Sequence, residues 1–159
     1  MAILDQPEEI KALDQKNYLA SVEELPRQCE QAWEEVKAVV IPPEYRKAEN
    51  IVVVGMGGSG LGSWLIDSLL ADRLKVPFEV VNDYALPLSV NEKTLVVLSS
   101  YSGTTEEVLT AFEEAYRRRA MCLGIAVGGT LADLMKERDL PFFLIDPKGP
   151  KKSRPPELD

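Results

Sequence analysis

The spacing of apolar residues changes near residue 50 and divides the chain into two differently patterned parts. Between about residues 7 and 40, apolar residues recur at helical spacing, among them Cys29, Trp33, Val36 and Val40. Pro26 is expected to begin a second helix, because proline is tolerated in a first helical turn. Pro42 and Pro43 then stop it, so residues 1–48 are predicted to form a helical N-terminal arm.

The second part alternates short β-rich runs with amphipathic stretches. The predicted strands are Ile51–Val54, Phe78–Val81, Thr94–Leu98, Cys122–Ala126 and Phe142–Ile145. The predicted helices are Leu61–Arg73, Thr104–Arg119 and Thr130–Arg138. Strands that are apolar on both faces and separated by helices are typical of a parallel sheet covered on both sides. Residues 49–147 therefore predict an α/β domain with a doubly wound, five-stranded parallel sheet.

Composition excludes several classes of function but says little about the fold. The 159 residues carry a net charge of -8, which argues against a nucleic-acid or anionic-membrane partner, since such surfaces need clustered cations. The N-terminus lacks a secretory pattern and no run is apolar enough for a membrane span, so a cytoplasmic location is expected. Cys29 and Cys122 are predicted to be two reduced, buried thiols. Residues 148–159 are interpreted as a linker or as the truncated start of another domain.

Histidine is absent from the sequence. Its absence removes Ser-His-Asp and Cys-His catalysis, together with the usual zinc sites that combine histidine with cysteine or carboxylate. Any chemistry here must use backbone amides, hydroxyls, carboxylates, lysine or arginine.

Two loops that follow predicted strands carry the candidate binding chemistry. The run Gly55-Met56-Gly57-Gly58-Ser59-Gly60 follows the first strand, where glycines allow close approach to a ligand and Ser59 adds a hydroxyl. The run from residue 99 to residue 105 follows the third strand and offers the hydroxyls of Ser100, Ser102 and Thr105. Ligands of open parallel sheets bind at the carboxyl ends of strands, and this donor set fits a phosphate monoester.

Each of these motifs has another interpretation. The hydroxyls can be ordinary helix N-caps. Gly55, Gly57 and Gly60 also satisfy the dinucleotide fingerprint, with Asp83 placed as a ribose-binding acid, although a dinucleotide enzyme needs no second hydroxyl-rich loop. Glu106 and Glu107 are candidates for a general base, but the helix dipole already explains acids in a first turn. Glu113 and Glu114, followed by Arg117 to Arg119, are expected to form a solvated helix face.

With these motifs in view, the sequence resembles the bifunctional phosphoglucose/phosphomannose isomerases, which have two sugar isomerase (SIS) domains. The resembling segments, in order, are Leu13-Asp14, Leu25–Gln28, Val54–Gly60, Asp83–Pro87, Ser100–Glu107 and Gly128–Leu131. The resemblance implies a flavodoxin-like SIS fold and aldose–ketose isomerisation between glucose or mannose 6-phosphate and fructose 6-phosphate. It implies no metal or organic cofactor, because one base can move a proton between C1 and C2 of an enediol.

The resemblance also assigns roles to residues. Ser100, Ser102 and Thr105 would bind the phosphate, while Gly57, Gly58 and Ser59 would line the sugar. Arg154 matches an arginine that stabilises the negative enediolate in this family. The alternative interpretation is that Arg154 is an ordinary charged residue in a basic tail.

Length is the main departure from the family. Its members are about twice as long, and their glutamate base and ring-opening histidine lie in the second half. We therefore expect this chain to be the phosphate-binding first half of an isomerase, acting with a missing second SIS domain or a homodimer partner. The alternative is a non-catalytic module that binds sugar phosphates.

Overall fold

A computed structural model describes residues 5–146 of the chain. The described residues form two compact units, one containing residues 5–38 and the other Val39–Ile145. Each unit has its own secondary structure and is described by itself.

The first unit contains three helices, α1 (Pro7–Leu13), α2 (Tyr18–Glu23) and α3 (Leu25–Val36). Asp14 starts α2, because its carboxylate oxygens accept hydrogen bonds from the backbone N–H groups of Tyr18 at 2.7 Å and Leu19 at 2.8 Å. Pro26 lies in a first helical turn as expected, but that turn belongs to the third helix. The sequence predicted the break before Leu25 but not the earlier break between Leu13 and Tyr18, so two helices were expected where the structure has three.

The expectation that both thiols are buried is wrong for Cys29. This residue is exposed on α3, whereas Cys122 is fully buried. Trp33 on the same helix is 67% exposed. Helical spacing correctly indicated an amphipathic helix, but spacing cannot say whether anything covers the apolar side.

The second unit is the α/β domain. After a 3-10 turn (Pro43–Lys47), its elements are β1 (Asn50–Gly55), α4 (Gly58–Leu70), β2 (Phe78–Val81), β3 (Thr94–Ser99), α5 (Glu106–Arg117), β4 (Met121–Ala126), α6 (Gly129–Glu137) and β5 (Phe142–Leu144). The strands form one sheet in the order β2-β1-β3-β4-β5, and every neighbouring pair is parallel. The predicted five-stranded parallel sheet is confirmed, and its strand order is that of flavodoxin-like folds.

The two faces of the sheet are buried to different extents. Right-handed crossovers place α4 on one face and α5 and α6 on the other, because β2 and β4 lie on opposite sides of the β1–β3 pair. The α5–α6 face holds the dry core, in which alternate strand residues such as Val96, Leu98 and Cys122 pack with Phe112 and Met135. The intervening residues of β3 and β4 are only half-buried. The sheet was expected to be covered on both faces. Within the described residues it is fully covered on the α5–α6 face and only partly covered on the α4 face.

No helix follows β2. Two side chains at the C-terminal end of α5, one from the helix and one from its C-cap residue, bond to the connecting segment 82–93 instead. Arg118 donates to the carbonyl oxygen of Pro87 at 2.7 Å, while Glu114 accepts a hydrogen bond from the N–H of Leu86 at 3.2 Å. Arg118 and Glu114 also bond to each other at 2.6 Å. The Leu86 N–H is the main cause of a lowered pKa at Glu114, and the Arg118 charge adds to it. The expected solvated face is therefore wrong at these two residues.

Candidate functional site

Two loops leave the same edge of the sheet side by side. We call residues 55–60 the glycine loop and residues 99–105 the hydroxyl loop. They follow β1 and β3, which are neighbours in the sheet, and Gly55 is paired with Ser99. The chain turns in opposite directions after these two strands, so the loops flank the topological switch point at which ligands of open α/β sheets bind.

Ser59 joins the two loops directly. Its Oγ accepts a hydrogen bond from the backbone N–H of Tyr101 at 3.1 Å, and its carbonyl oxygen accepts one from the Ser99 hydroxyl at 2.9 Å. These bonds use acceptor capacity of Ser59 and leave the proton of its hydroxyl able to donate. The sequence predicted that the loops share an edge, and the structure adds that they form one hydrogen-bonded unit.

Inside the hydroxyl loop, Ser100 and Thr105 bond to each other. Their hydroxyl oxygens lie 2.8 Å apart, and Ser100 Oγ also accepts a hydrogen bond from the N–H of Gly103 at 3.0 Å. Ser100 is only 1% exposed, whereas Thr105 is half-buried and Ser102 is exposed. The side chains of Ser102 and Thr105 are therefore more accessible than that of Ser100, which bonds to Thr105 from the buried side.

Helix capping does not account for the Thr105 hydroxyl. Thr105 is the N-cap residue of α5, yet its side chain makes no hydrogen bond to the first turn. The helix begins with the Leu109 N–H bonded to the Thr105 carbonyl at 3.0 Å. The preceding amides lie at the positive end of the helix dipole, where an anion is stabilised.

Ser102 has a local partner of its own. Its Oγ accepts hydrogen bonds from the backbone N–H and the hydroxyl of Thr104, both at 3.2 Å. Both bonds use lone pairs, so the Ser102 proton remains able to donate to a ligand. The interaction shapes the turn and points to a modest structural contribution from this hydroxyl.

The hydroxyl loop is braced from behind by the loop that follows β4. Gly103 is buried with φ of 71°, and a methyl group added there would overlap the carbonyl group of Gly128. The Gly103 carbonyl accepts a hydrogen bond from the Leu131 N–H at 2.9 Å, and Tyr101 accepts one from Val127 at 3.0 Å. Sequence reasoning used Gly128 only as part of a resemblance and missed this packing role. Adjacent glycines at a strand end were the available signal.

Glycines in the glycine loop differ in what surrounds them. A methyl group at Gly60 would lie 2.6 Å from the Gly55 carbonyl oxygen and 2.9 Å from the Asn82 amide nitrogen, so the fold itself requires a small residue there. At Gly58 a methyl group would meet nothing within 4 Å. Gly57 has the same open surroundings, with φ of 51°. Gly60 is therefore required by the fold, whereas Gly58 borders open space at the sheet edge.

Acidic side chains stand beside the hydroxyl loop. Tyr84, in the segment after β2, donates to a carboxylate oxygen of Glu106 at 3.4 Å. The negative charge of Glu107 is the main cause of a raised pKa at Tyr84, and Glu106 adds to it. Asp83 accepts a hydrogen bond from the Tyr84 N–H at 2.6 Å. The acid that a dinucleotide site would use is thus engaged by its own neighbour in the chain.

The remaining observations concern a candidate arginine, metal ions and membrane-spanning helices. Arg154 lies outside the described residues. Between residues 5 and 146, no three His, Cys, Asp or Glu side chains lie close enough together to hold a metal ion. Nor is any helix in this range long and apolar enough to cross a membrane.

Comparisons with known proteins connect this fold and both loops to one family. A family model described as the SIS domain matches residues 44–149. A bifunctional phosphoglucose/phosphomannose isomerase of Caldicellulosiruptor bescii is 38% identical over 117 residues, which are 74% of this chain and 34% of that protein. A protein of the same name from Aquifex aeolicus is 39% identical over 118 residues, which are 74% of this chain and 35% of that protein.

A solved structure has the same fold. Tagatose-6-phosphate ketose/aldose isomerase from Escherichia coli aligns with a TM-score of 0.56 over 87% of this chain and 38% of that one, at 19% identity. The chain spans about a third of the length of the two isomerases named above. The SIS model covers more than half of the chain and includes both the glycine loop and the hydroxyl loop. This chain therefore belongs to the SIS domain family.

Proposed function

We propose that this chain binds a hexose 6-phosphate as part of a sugar-phosphate isomerase that interconverts glucose or mannose 6-phosphate with fructose 6-phosphate. The observation that carries the proposal is the hydrogen-bonded pair of loops at the switch point, which place hydroxyls next to the N-terminus of α5, where the N-cap side chain makes no cap hydrogen bond. The relatives' name, bifunctional phosphoglucose/phosphomannose isomerase, supports this choice of reaction and sugars.

The hydroxyl loop supplies the phosphate-binding part. In the proposed complex, Ser102 and Thr105 donate hydroxyl protons to phosphate oxygens, and amides in the first turn of α5 donate alongside them. Each hydrogen bond to a charged oxygen contributes about 1.5–3 kcal/mol. Ser100 is buried, so its contribution is to orient the Thr105 hydroxyl.

The glycine loop supplies the sugar-binding part. Gly57 and Gly58 leave open space in which backbone groups can approach a sugar closely, and Ser59 offers a hydroxyl donor. Because Ser59 also holds Tyr101, the sugar-binding and phosphate-binding parts keep a fixed separation. A fixed separation is what orients C1 and C2 relative to an anchored phosphate.

Isomerisation further requires a base beside C1 and C2. The chain has no histidine, and Glu106 and Glu107 begin α5, beside the phosphate-binding part. We propose that the base comes from a second SIS domain, as the family resemblance implies. Arg154 is retained in this proposal as the residue that steadies the enediolate. The proton transfer needs no metal or organic cofactor.

A second candidate function is a non-catalytic module that binds sugar phosphates. The absence of histidine from the sequence and the position of Glu106 and Glu107 beside the hydroxyl loop favour it. The two candidates agree on the ligand and differ only in turnover.

Thermal denaturation with added ligands tests the shared proposal. Glucose 6-phosphate at a hundred times its dissociation constant should stabilise the chain by about 2.7 kcal/mol, or about 5–10 °C in melting temperature. Unphosphorylated glucose should give little change, and NAD should give none. Equal shifts from glucose and glucose 6-phosphate would remove the phosphate site from the proposal. A shift with NAD alone would favour a dinucleotide site.

A further inference from the structure

Asn82, the residue directly after β2, bonds to the base of the glycine loop. Its side-chain Nδ2 donates a hydrogen bond to the carbonyl oxygen of Gly55 at 2.5 Å. Gly55 is the buried last residue of β1 and the first residue of the glycine loop. The glycine loop is thus attached to the end of β2 as well as to the hydroxyl loop.

The end of β2 explains why a side chain makes this bond. Ile51 donates to the carbonyl oxygen of Pro77, on the β2 side, and successive residues of a strand direct their backbone groups to its two neighbours alternately. Gly55 lies four residues further on, so its carbonyl group also faces the β2 side. β2 ends at Val81, one register position before Gly55. The ladder has therefore ended where the Gly55 carbonyl needs a donor, and the Asn82 amide supplies it.

Close packing extends this attachment to the other end of the loop. A methyl group at Gly60, the last loop residue, would lie 2.9 Å from the Asn82 Nδ2 atom, so the Asn82 side chain packs directly against Gly60. Asn82 therefore contacts the first and the last residue of the loop. Between them, Gly57 and Gly58 border open space. The loop is thus held at both ends and open in the middle.

We infer that Asn82 is a positioning residue for the sugar of a hexose 6-phosphate: by bonding to Gly55, it holds the glycine loop in the conformation that receives the sugar. This inference rests on the proposed function, in which the glycine loop lines the sugar. The role requires a donor, because the carbonyl oxygen of Gly55 is an acceptor, and the neutral carboxamide of Asn82 supplies one without adding a charge. It does not require Asn82 to touch the ligand.

The effect of Asn82 should be confined to the sugar-binding part of the site. The hydroxyl loop follows β3, which lies on the other side of β1 from β2. That loop has its own supports, since Ser100 bonds to Thr105 and Gly103 packs against Gly128. Asn82 is also exposed, so removing its side chain leaves no cavity in the core. Loss of the amide should therefore loosen the glycine loop without disturbing phosphate binding or unfolding the domain.

Isothermal calorimetry of the full chain with two ligands tests the inference. Asn82→Ala should raise the dissociation constant for glucose 6-phosphate by roughly three- to tenfold, because the binding conformation of the loop loses the population that one ordinary hydrogen bond gives it. Inorganic phosphate should bind with unchanged affinity. Asn82→Gln keeps the amide on a side chain that has room to lengthen, so it should restore most of the affinity for glucose 6-phosphate.

Asn91→Ala is the matched control. Asn91 is also exposed, and its side-chain amide also donates to a backbone carbonyl, that of Ser89, at 2.9 Å. It lies in the same connecting segment but just before β3, at the opposite edge of the sheet from both loops. Its replacement should leave the affinity for both ligands unchanged.

Amide hydrogen exchange gives an independent readout. The N–H groups of Ser59 and Gly60 bond to carbonyl oxygens within the glycine loop, and the N–H of Gly103 bonds to the carbonyl oxygen of Ser100. In Asn82→Ala, exchange should become faster at Ser59 and Gly60 and stay the same at Gly103, because only the glycine loop is loosened. Faster exchange at all three amides would indicate a general loss of stability and would contradict the inference.

The binding results separate this inference from the proposed function. A parent chain that does not bind glucose 6-phosphate would refute the proposed function and the inference with it. A parent chain that binds this ligand no better than Asn82→Ala does would refute the inference alone, as would an Asn82→Gln variant no better than Asn82→Ala. If both ligands are weakened equally, or if Asn82→Ala melts too low for binding to be measured, Asn82 serves the fold as a whole and the inference is also wrong.

Discussion

Replacing Gly58 with alanine should make the protein more stable and a poorer binder. A methyl group at this position meets nothing within 4 Å, and the residue begins α4 without a positive φ. Alanine there reduces the conformational freedom of the unfolded chain, which stabilises by about 0.4–1 kcal/mol. For a chain of this length, that corresponds to a rise of about 1–4 °C in melting temperature.

The same methyl group should obstruct the sugar. It would occupy open space at the glycine loop, where we place the sugar of a hexose 6-phosphate. We expect the dissociation constant for glucose 6-phosphate to rise by roughly tenfold, or about 1.4 kcal/mol. Inorganic phosphate should bind with unchanged affinity, since it uses the hydroxyl loop alone. Isothermal calorimetry with both ligands, alongside thermal melts, measures all three quantities.

Gly103→Ala provides the contrasting result. Its φ of 71° costs an L-residue about 1–2 kcal/mol, and its methyl group overlaps the Gly128 carbonyl. Stability and phosphate binding should therefore fall together. If Gly58→Ala behaves in this way too, Gly58 is a structural glycine. If it is stabilised with unchanged affinity for glucose 6-phosphate, the sugar does not lie against the glycine loop.

Four further predictions concern Ser102, turnover by the purified chain and the two thiols. Ser102→Ala should weaken glucose 6-phosphate binding by about 1.5–3 kcal/mol with a far smaller change in stability, because its hydroxyl bonds only to Thr104 in the fold; calorimetry showing a lower melting point at unchanged affinity would identify a structural hydroxyl instead. The purified chain should show no turnover in a coupled assay from fructose 6-phosphate, and turnover abolished by Glu107→Gln would make that glutamate the base. Burial raises the pKa of the Cys122 thiol from 9.0 to about 12, so the free energy of unfolding should fall as pH rises from about 9 towards 12. Thiol labelling near neutral pH should modify Cys29 alone, and rapid labelling of Cys122 in the folded chain would contradict its burial.

Strand positions followed closely from the sequence. β2 matches its predicted range, and β1, β3, β4 and β5 differ by one residue at one or both ends. Short runs of β-branched residues that are bounded by glycine and proline have few alternatives to a strand. Helix α4 was predicted to begin near Leu61, but it begins at Gly58. The difference arises because glycines interpreted as part of a loop also form the first helical turn.

Exposure was less predictable than secondary structure. Spacing on α3 indicated an apolar side but did not reveal that Cys29 is exposed. The hydroxyls at 100, 102 and 105 appeared equivalent in the sequence, yet their burial differs because Ser100 lies directly behind Thr105. The contact between Gly103 and Gly128 joins residues 25 positions apart, and local patterns contain no such information.

The strand order has a consequence for synthesis on the ribosome. β2 lies beside β1 and follows it soon after, but the other neighbour of β1 is β3, and Asn50 pairs with Thr94, 44 positions later. At about 5–20 residues per second, β1 waits roughly 2–9 s with one edge unpaired. Such an edge is a template for incorrect pairing with other nascent chains. Slowing translation between β2 and β3 should therefore lower the yield of correctly folded protein, and holdase chaperones should be needed most during that interval.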